Sequence, residues 1–283
     1  MKSGGTLVRS VLHTTDFSDA SYKAFAHALA IAVLLKARLT ILNVGKVLTG
    51  DADWMDFPQV RETLERWNLL APGSPRSAVF DELGVTIKKE VVRGLGPVRA
   101  TRDFLRENPH DLVVLATEGS ERGPDWLHRS DAEAIARESG AMTLFVPRRA
   151  SPGIVSLENG DLDLTNILIP IDGTISCAAA TGFACRAAEI IGDGDVDITI
   201  LHVGQQMPVL PPLPEGSGWV WKTLLRQGGP VESILEVAEG LPANLIVMTT
   251  NGRDTLEQAL AGSTTERVLR KAGCPVLAVP DRG

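Results

Sequence analysis

The sequence predicts an α/β protein built as two tandem doubly wound domains. Each is expected to be a five-stranded parallel sheet with helices on both faces. One observation behind this is internal repetition. Residues 88–147 align with 221–280 at a constant offset of 133, without a gap, and 18 of the 60 positions are identical. The shared positions include Gly96/Gly229, Pro97/Pro230, Thr117/Thr250, Gly119/Gly252, Ser130/Ser263 and Glu133/Glu266. Self-similarity with glycines and prolines in register is the mark of a duplicated structural unit. The other observation is alternation. Short β-branched runs are separated by Ala-rich or amphipathic stretches, the pattern of βαβ units around a parallel sheet.

Taken in order, VLHTT (11–15) is a strand and SYKAFAHALAIAVLLK (21–36) a helix. LTILNV follows as a strand, and FPQVRETLERWNLL carries a helical pattern. IKKEVV is the next strand. GPVRATRDFLREN then opens a helix on Pro97, the first helical position where proline's missing N–H costs nothing. LVVLAT, a glycine-containing loop, RSDAEAIARES and TLFVP complete the first unit, residues 1–147. Residues 148–163 (RRASPGIVSLENGDLD) are polar, lack a period and read as a linker. The second unit, 164–283, repeats the grammar: ILIPI mirrors VLHTT, ITILHV mirrors LTILNV, and LIVM and PVLAVP follow. The strands are apolar on both faces, as a sheet covered on two sides requires. The units differ after their second strand. The first has about forty residues before IKKE, whereas the second has MPVLPPLPEG, whose four prolines between Pro208 and Pro214 forbid a helix.

Composition narrows the function. The chain has 283 residues, 44% hydrophobic and 22% charged, with a net charge of −7. An acidic surface argues against sequence-independent binding to nucleic acid or to anionic membranes. No apolar run reaches membrane-spanning length, and MKSGGTLVRS lacks a secretory core, so a cytoplasmic location is expected. Cys177, Cys185 and Cys274 give neither a disulfide framework nor a zinc pattern and read as small buried hydrophobes. The five histidines form no metal-binding pair. The five tryptophans show no period and are expected in packing.

In an open α/β sheet, ligands bind beyond the carboxyl ends of the strands at the point where strand order reverses. Those ends carry suitable groups in the second unit. Asp172 ends the first strand and could accept hydrogen bonds from ribose or base. Val203 ends the second and would meet a base with its backbone and apolar side chain. The fourth runs into Thr249, Thr250, Asn251 and Gly252, followed by nine residues and Gly262-Ser263-Thr264. Gly252 and Gly262 would let backbone approach a phosphate closely. Ser263, Thr264 and the free N–H groups of a helix start favour an anion. Arg253 could touch a phosphate. Asp172 and Asp16 equally suit turns or helix caps, and Ser263 with Glu266 suits a capping box.

This spacing, with an aspartate after the first strand, resembles the universal stress protein family, and the resemblance covers nearly the whole chain as two copies. It rests on IPIDGT, ILHVG, LIVMTTNG and AGSTTERVLRKAGCPVLAVP, with weaker counterparts in the first half. The resemblance implies an adenine nucleotide alpha hydrolase-like, Rossmann-like fold. It also implies a site for ATP, AMP or ADP, with Mg2+ as an optional companion: adenine and ribose near Asp172 and Val203, phosphates over Gly252, Gly262 and Ser263. It further implies that the last strands of the two units pair with each other, and a homodimer is an additional expectation. Thr249 stands where the family has its first glycine. In the first unit the corresponding set is Asp16, Val44, Ala116, Gly119, Arg129 and Ser130. Arg129 replaces the glycine, so this site is expected to be degenerate. Arg129 would either fill the phosphate position or pair with a bound phosphate. No Walker lysine or carboxylate pair at metal spacing accompanies either loop, so no catalytic residue is assigned. The expectation is a stress-response or signalling module that binds nucleotide and acts on unidentified protein partners, with slow hydrolysis at most. A nucleotide-free scaffold is the alternative.

Overall fold

A computed structural model describes residues 8–46, 56–94, 96–117, 135–136, 139–148, 150, 153–173, 176–192, 194–250 and 264–281. Its first half runs β1 (Ser10–Thr15), α1 (Asp19–Leu35), β2 (Arg38–Lys46), α2 (Val60–Arg66), α3 (Ala78–Asp81), β3 (Thr86–Gly94), α4 (Pro97–Glu107), β4 (Leu112–Thr117) and β5 (Met142–Pro147). The second runs β6 (Asn166–Ile171), α5 (Ala178–Ile191), β7 (Val196–Val203), β8 (Trp219–Arg226), α6 (Pro230–Gly240), β9 (Leu245–Thr250), α7 (Thr264–Lys271) and β10 (Val276–Pro280). Among the described residues, no helix is long and apolar enough to cross a membrane.

The ten strands form one sheet in the order β3-β2-β1-β4-β5-β10-β9-β6-β7-β8. Within each half every neighbouring pair is parallel, and the halves meet at an antiparallel pair, β5 with β10. The seam sets Phe145 opposite Val276, Leu144 opposite Leu277 and Thr143 opposite Ala278. The two apolar end strands, expected to pair with each other, do so and cover each other's edges. The open edges fall instead on β3 and β8. There the expectation of apolar faces on both sides fails, because TIKKEVVRG and WVWKTLLR are exposed or half-exposed at most positions.

Alternate residues along each strand feed two core layers. Val11, Leu39, Ile41, Val114, Ile167 and Ile198 pack beneath α1 and α5. Leu12, Val113, Leu115, Phe145, Leu168 and Ile246 pack beneath α4, α6 and α7. Each layer crosses the seam without interruption. Segment 205–218 contains neither helix nor strand, consistent with its prolines, while the matching part of the first half carries α2 and α3. The segment expected as a linker is packed more firmly than its composition suggests. Ile154 and Val155 are buried, a bridge joins Val155 to Leu162, and Trp67 Nε1–H donates to the Leu157 carbonyl at 3.2 Å. Trp67 and Trp219 are buried, as are all three free cysteines. Burial pushes Cys185 up to about 11 and Cys274 to about 12, so both remain thiols at neutral pH.

Duplication is visible in single hydrogen bonds. Asp111 Oδ2 accepts from Arg9 N–H (2.9 Å), Ser10 N–H (3.0 Å) and the Ser10 hydroxyl (2.9 Å), tying the start of β4 to that of β1. In the second half Asn244 Oδ1 accepts from Thr165 N–H (3.0 Å), the Thr165 hydroxyl (2.9 Å) and Asn166 N–H (2.9 Å). Partial burial raises the Asp111 carboxyl, but the bonds from Arg9 and Ser10 outweigh it and hold the group below its ordinary range. Since Asn244 makes the same clamp without charge, Asp111→Asn should keep the acceptor and lose only the share of stability that the depressed carboxyl represents, less than Asp111→Ala loses. Asp111→Ala should cost about 1–2 kcal/mol in urea denaturation by losing the acceptor. Equal losses for both variants would show that charge, not the acceptor, matters.

Two buried histidines make the first half less stable in acid. His13 Nδ1–H donates to the Val114 carbonyl at 3.1 Å, and His27 Nδ1–H to the Lys23 carbonyl at 2.8 Å, with His27 Nε2 left unpartnered. Burial lowers each from 6.5 to about 4. Above pH 6.5 both are neutral in folded and unfolded chains alike. Between 6.5 and 4 only the unfolded chain takes up protons, so stability falls as pH falls through that window. Denaturation midpoints measured from pH 7 down to 4.5 should drop, and His27→Leu, which removes one titrating group, should flatten the profile; an unchanged slope would refute this origin.

Candidate functional site

The order within each half places β1 beside β4, and β6 beside β9, where the chain reverses its direction of strand addition. At these points the sheet opens. β6 pairs with β9 only at Ile167↔Leu245 and Leu168↔Ile246, although it pairs with β7 along all six of its residues. Past that point β6 and β9 part toward their carboxyl ends. Pro170, which has no N–H to give to a ladder, sits just beyond the last β6–β9 pair.

A cavity of about 190 Å3 occupies this opening. Asp172 at the end of β6, Val203 at the end of β7, Thr249 in β9 and Thr264 at the start of α7 all line it. Four of the residues expected at a site are therefore brought together from four elements. Pro170, Cys177, Ile234, Met248 and Thr265 also line it. The sequence reads Cys177 as a buried hydrophobe and Pro230, another lining residue, chiefly as a helix start with proximity to ligand secondary. Their place in the wall depends on strand order, and the only local hint was proximity of Cys177 to Asp172. The walls are mainly apolar, and polarity comes from the Asp172 carboxylate and from hydroxyls of Thr249, Thr264 and Thr265. The first N–H groups of α7 begin at the cavity wall, a position that favours negative charge. Gly252, Arg253, Gly262 and Ser263 lie outside the described residues.

The strand end that bears Asp172 is pinned from the side. His202 Nδ1–H donates to the Ile171 carbonyl at 3.0 Å. Asn43 performs the same task in the first half, where its Nδ2–H donates to the Thr15 carbonyl at 2.9 Å. Gly173 follows Asp172 at φ +83, and a Cβ there would stand 3.2 Å from Pro208 of the proline-rich segment.

The first half builds the corresponding place differently. Asp16, Val44 and Ala116 stand at or beside the carboxyl ends of β1, β2 and β4; Gly119, Arg129 and Ser130 lie outside the described residues. Asp16 Oδ1 accepts from Ser18 N–H (3.0 Å) and from the Ser18 hydroxyl (2.6 Å), and Ser18 in turn caps α1 by accepting from Ser21 N–H. This is the turn-and-cap use that the sequence left open beside the ligand use. Phe17 takes the position of Gly173, also with positive φ (+64), and meets Phe57 edge-on with ring centroids 5.4 Å apart.

These features define a class: a doubly wound α/β protein of two fused repeats sharing one sheet, with a crevice at a strand-order reversal. The sequence signature of the Universal stress protein family matches residues 8–147 and 215–280, and the chain belongs to that family. The second match begins after β7, although β6, α5 and β7 repeat the order of β1, α1 and β2. Universal stress protein MJ0531 of Methanocaldococcus jannaschii is 31% identical over 150 residues, 44% of this chain and 86% of that relative. A universal stress protein of Thermus aquaticus is 46% identical over 56 residues, 20% of this chain and 41% of its own length. Among solved structures, a universal stress protein from Archaeoglobus fulgidus aligns over 97% of this chain and 99% of its own, with a TM-score of 0.65 at 17% identity. That likeness carries the two-repeat fold across the whole chain.

Proposed function

We propose that the second half binds an adenine nucleotide, ATP or its ADP and AMP relatives, and that the protein works in stress response or signalling through nucleotide-dependent contacts with protein partners. The observation that carries this reading is the cavity at the β6/β9 opening, lined by Asp172, Val203, Thr249 and Thr264. Its 190 Å3 is below the roughly 300–1,000 Å3 of a complete small-molecule site and suits the base and sugar portion. The family resemblance then puts the phosphates over Gly252, Gly262 and Ser263, with Arg253 in sequence next to Gly252 to touch one. Family membership supports the stress-response role. We take residues 1–147 and 164–283 as the two units, with 148–163 between them, the first unit's site being degenerate.

The test is mass spectrometry of what the purified protein carries, together with its melting temperature in millimolar ATP with and without Mg2+. Copurifying adenine nucleotide or a rise of several degrees supports the proposal; the absence of both would overturn it. Thr249 in the cavity wall favours one second reading, a scaffold of the same family that has given up nucleotide, and the absence of both signals would favour that scaffold.

A further inference from the structure

Among the described residues, the first half carries helices between its second and third strands that the matching segment 204–218 of the second half does not. Between β2 and β3 the chain passes through α2 and α3, and these leave an open groove of about 870 Å3 against β3. Sites that enclose a small organic ligand span roughly 300–1,000 Å3. The groove lies in the other half of the chain from the Asp172 cavity and shares no residue with it.

Its floor is apolar. Val60, Val79 and Val85 are buried, Ile87 is half-buried, and Phe80 stands 62% exposed at the edge. The ring thus continues the apolar floor out to the groove's edge. The walls carry Arg61, Arg76 and Lys89 against Glu62. Arg61 spends part of its charge on Glu65, with Nε 3.4 Å from Oε1. Arg76 and Lys89 line the same groove. Burial lowers the Lys89 ammonium below its ordinary range, Arg76 pushes it the same way, and Glu62 opposes them. Lys89 Nζ also stands over the Phe57 ring, 5.6 Å from its centroid, which holds it at the wall. A cationic pair beside an apolar trough is thus built into a chain whose net charge is −7.

We propose that this groove binds an amphipathic anion, with a carboxylate or phosphate head between Arg76 and Lys89 and an apolar body lying against Phe80 and Ile87. Charge complementarity selects the head, since an anion there offsets the repulsion between the two cations. The exposed phenyl ring and the valines behind it select the body, since a small hydrophilic anion would leave them in water.

Calorimetric titration of the full chain with octanoate and with octyl phosphate tests this, with acetate, inorganic phosphate and octanol titrated separately. Both amphipathic anions should bind saturably at one site, with the tighter of the two identifying the preferred head, and the isolated heads and the neutral alcohol should bind at least about tenfold more weakly. Arg76→Glu combined with Lys89→Gln should weaken octanoate by about tenfold or more, and Phe80→Ser should weaken it too, while Arg99→Gln, on a different surface, should not. Arg76 is exposed, so the single variant Arg76→Glu keeps the test valid if the double variant folds poorly. Absence of saturable binding, binding indifferent to Arg76, or acetate as tight as octanoate would overturn the proposal.

Discussion

Replacing Gly262 by arginine is expected to remove nucleotide binding from the second half, raising the dissociation constant by about a hundredfold or more, equivalent to about 2.7 kcal/mol. The substitution writes into the second repeat what the first already has, Arg129 at the matching position. A side chain there takes up the space in which backbone would approach a phosphate. Asp172→Ala, which removes the carboxylate from the cavity wall, should weaken binding by about tenfold. Equilibrium dialysis with labelled ATP reads both constants and the stoichiometry, expected to be one nucleotide per chain. The reverse change, Arg129→Gly, should leave the stoichiometry at one. Asp16 is committed to the Ser18 turn, and Phe17 stands where the second half has Gly173. Undiminished binding in Gly262→Arg would sink the assignment of phosphates to that loop.

Phe145→Ala is expected to cost about 3–5 kcal/mol, the range for emptying a large buried aromatic site. Phe145 is 1% exposed and lies opposite Val276 across the β5–β10 seam. Both core layers cross that seam, so the loss should be felt by the whole chain rather than by one half. Urea denaturation followed by tryptophan fluorescence and by far-ultraviolet circular dichroism should give coincident transitions, displaced together in the variant. Two separate transitions, with only one of them moved, would show that the halves unfold independently.

Elements built from local rules could be read from the chain. Pro97 and Pro230 open α4 and α6, because proline's fixed φ and missing N–H suit a first helical turn. The prolines of segment 205–218 exclude a helix for the same covalent reason, and the helical pattern at FPQVRETLERWNLL became α2. Asp172, Val203, Thr249 and Thr264 could be picked out because each stands at a strand end or helix start marked by its own neighbours. Other features carried no such mark. Met248 and Ile234 look like any core residue until β9 and α6 are placed around the opening. The linker's Ile154 and Val155 lack a period, yet they join the core beneath α1. His13 and His27 sit in ordinary helical and strand patterns, and only burial makes them sensitive to acid.

The sequence by itself determined that this protein is a duplicated α/β chain, because the repeat can be read by alignment and hydrophobic period and turn chemistry are written in neighbouring residues; its resemblance to the universal stress protein family rested on matching motifs. The resemblance to that family already implied that the last strands, β5 and β10, would pair; tertiary structure alone decided their antiparallel register, and that β6 and β9 part to open a cavity between them. It also set a cationic, apolar groove beside β3. The physical reason is range: a turn or cap is settled over a few residues, whereas a cavity needs strands far apart in the chain to be paired, and to stop pairing, at particular places.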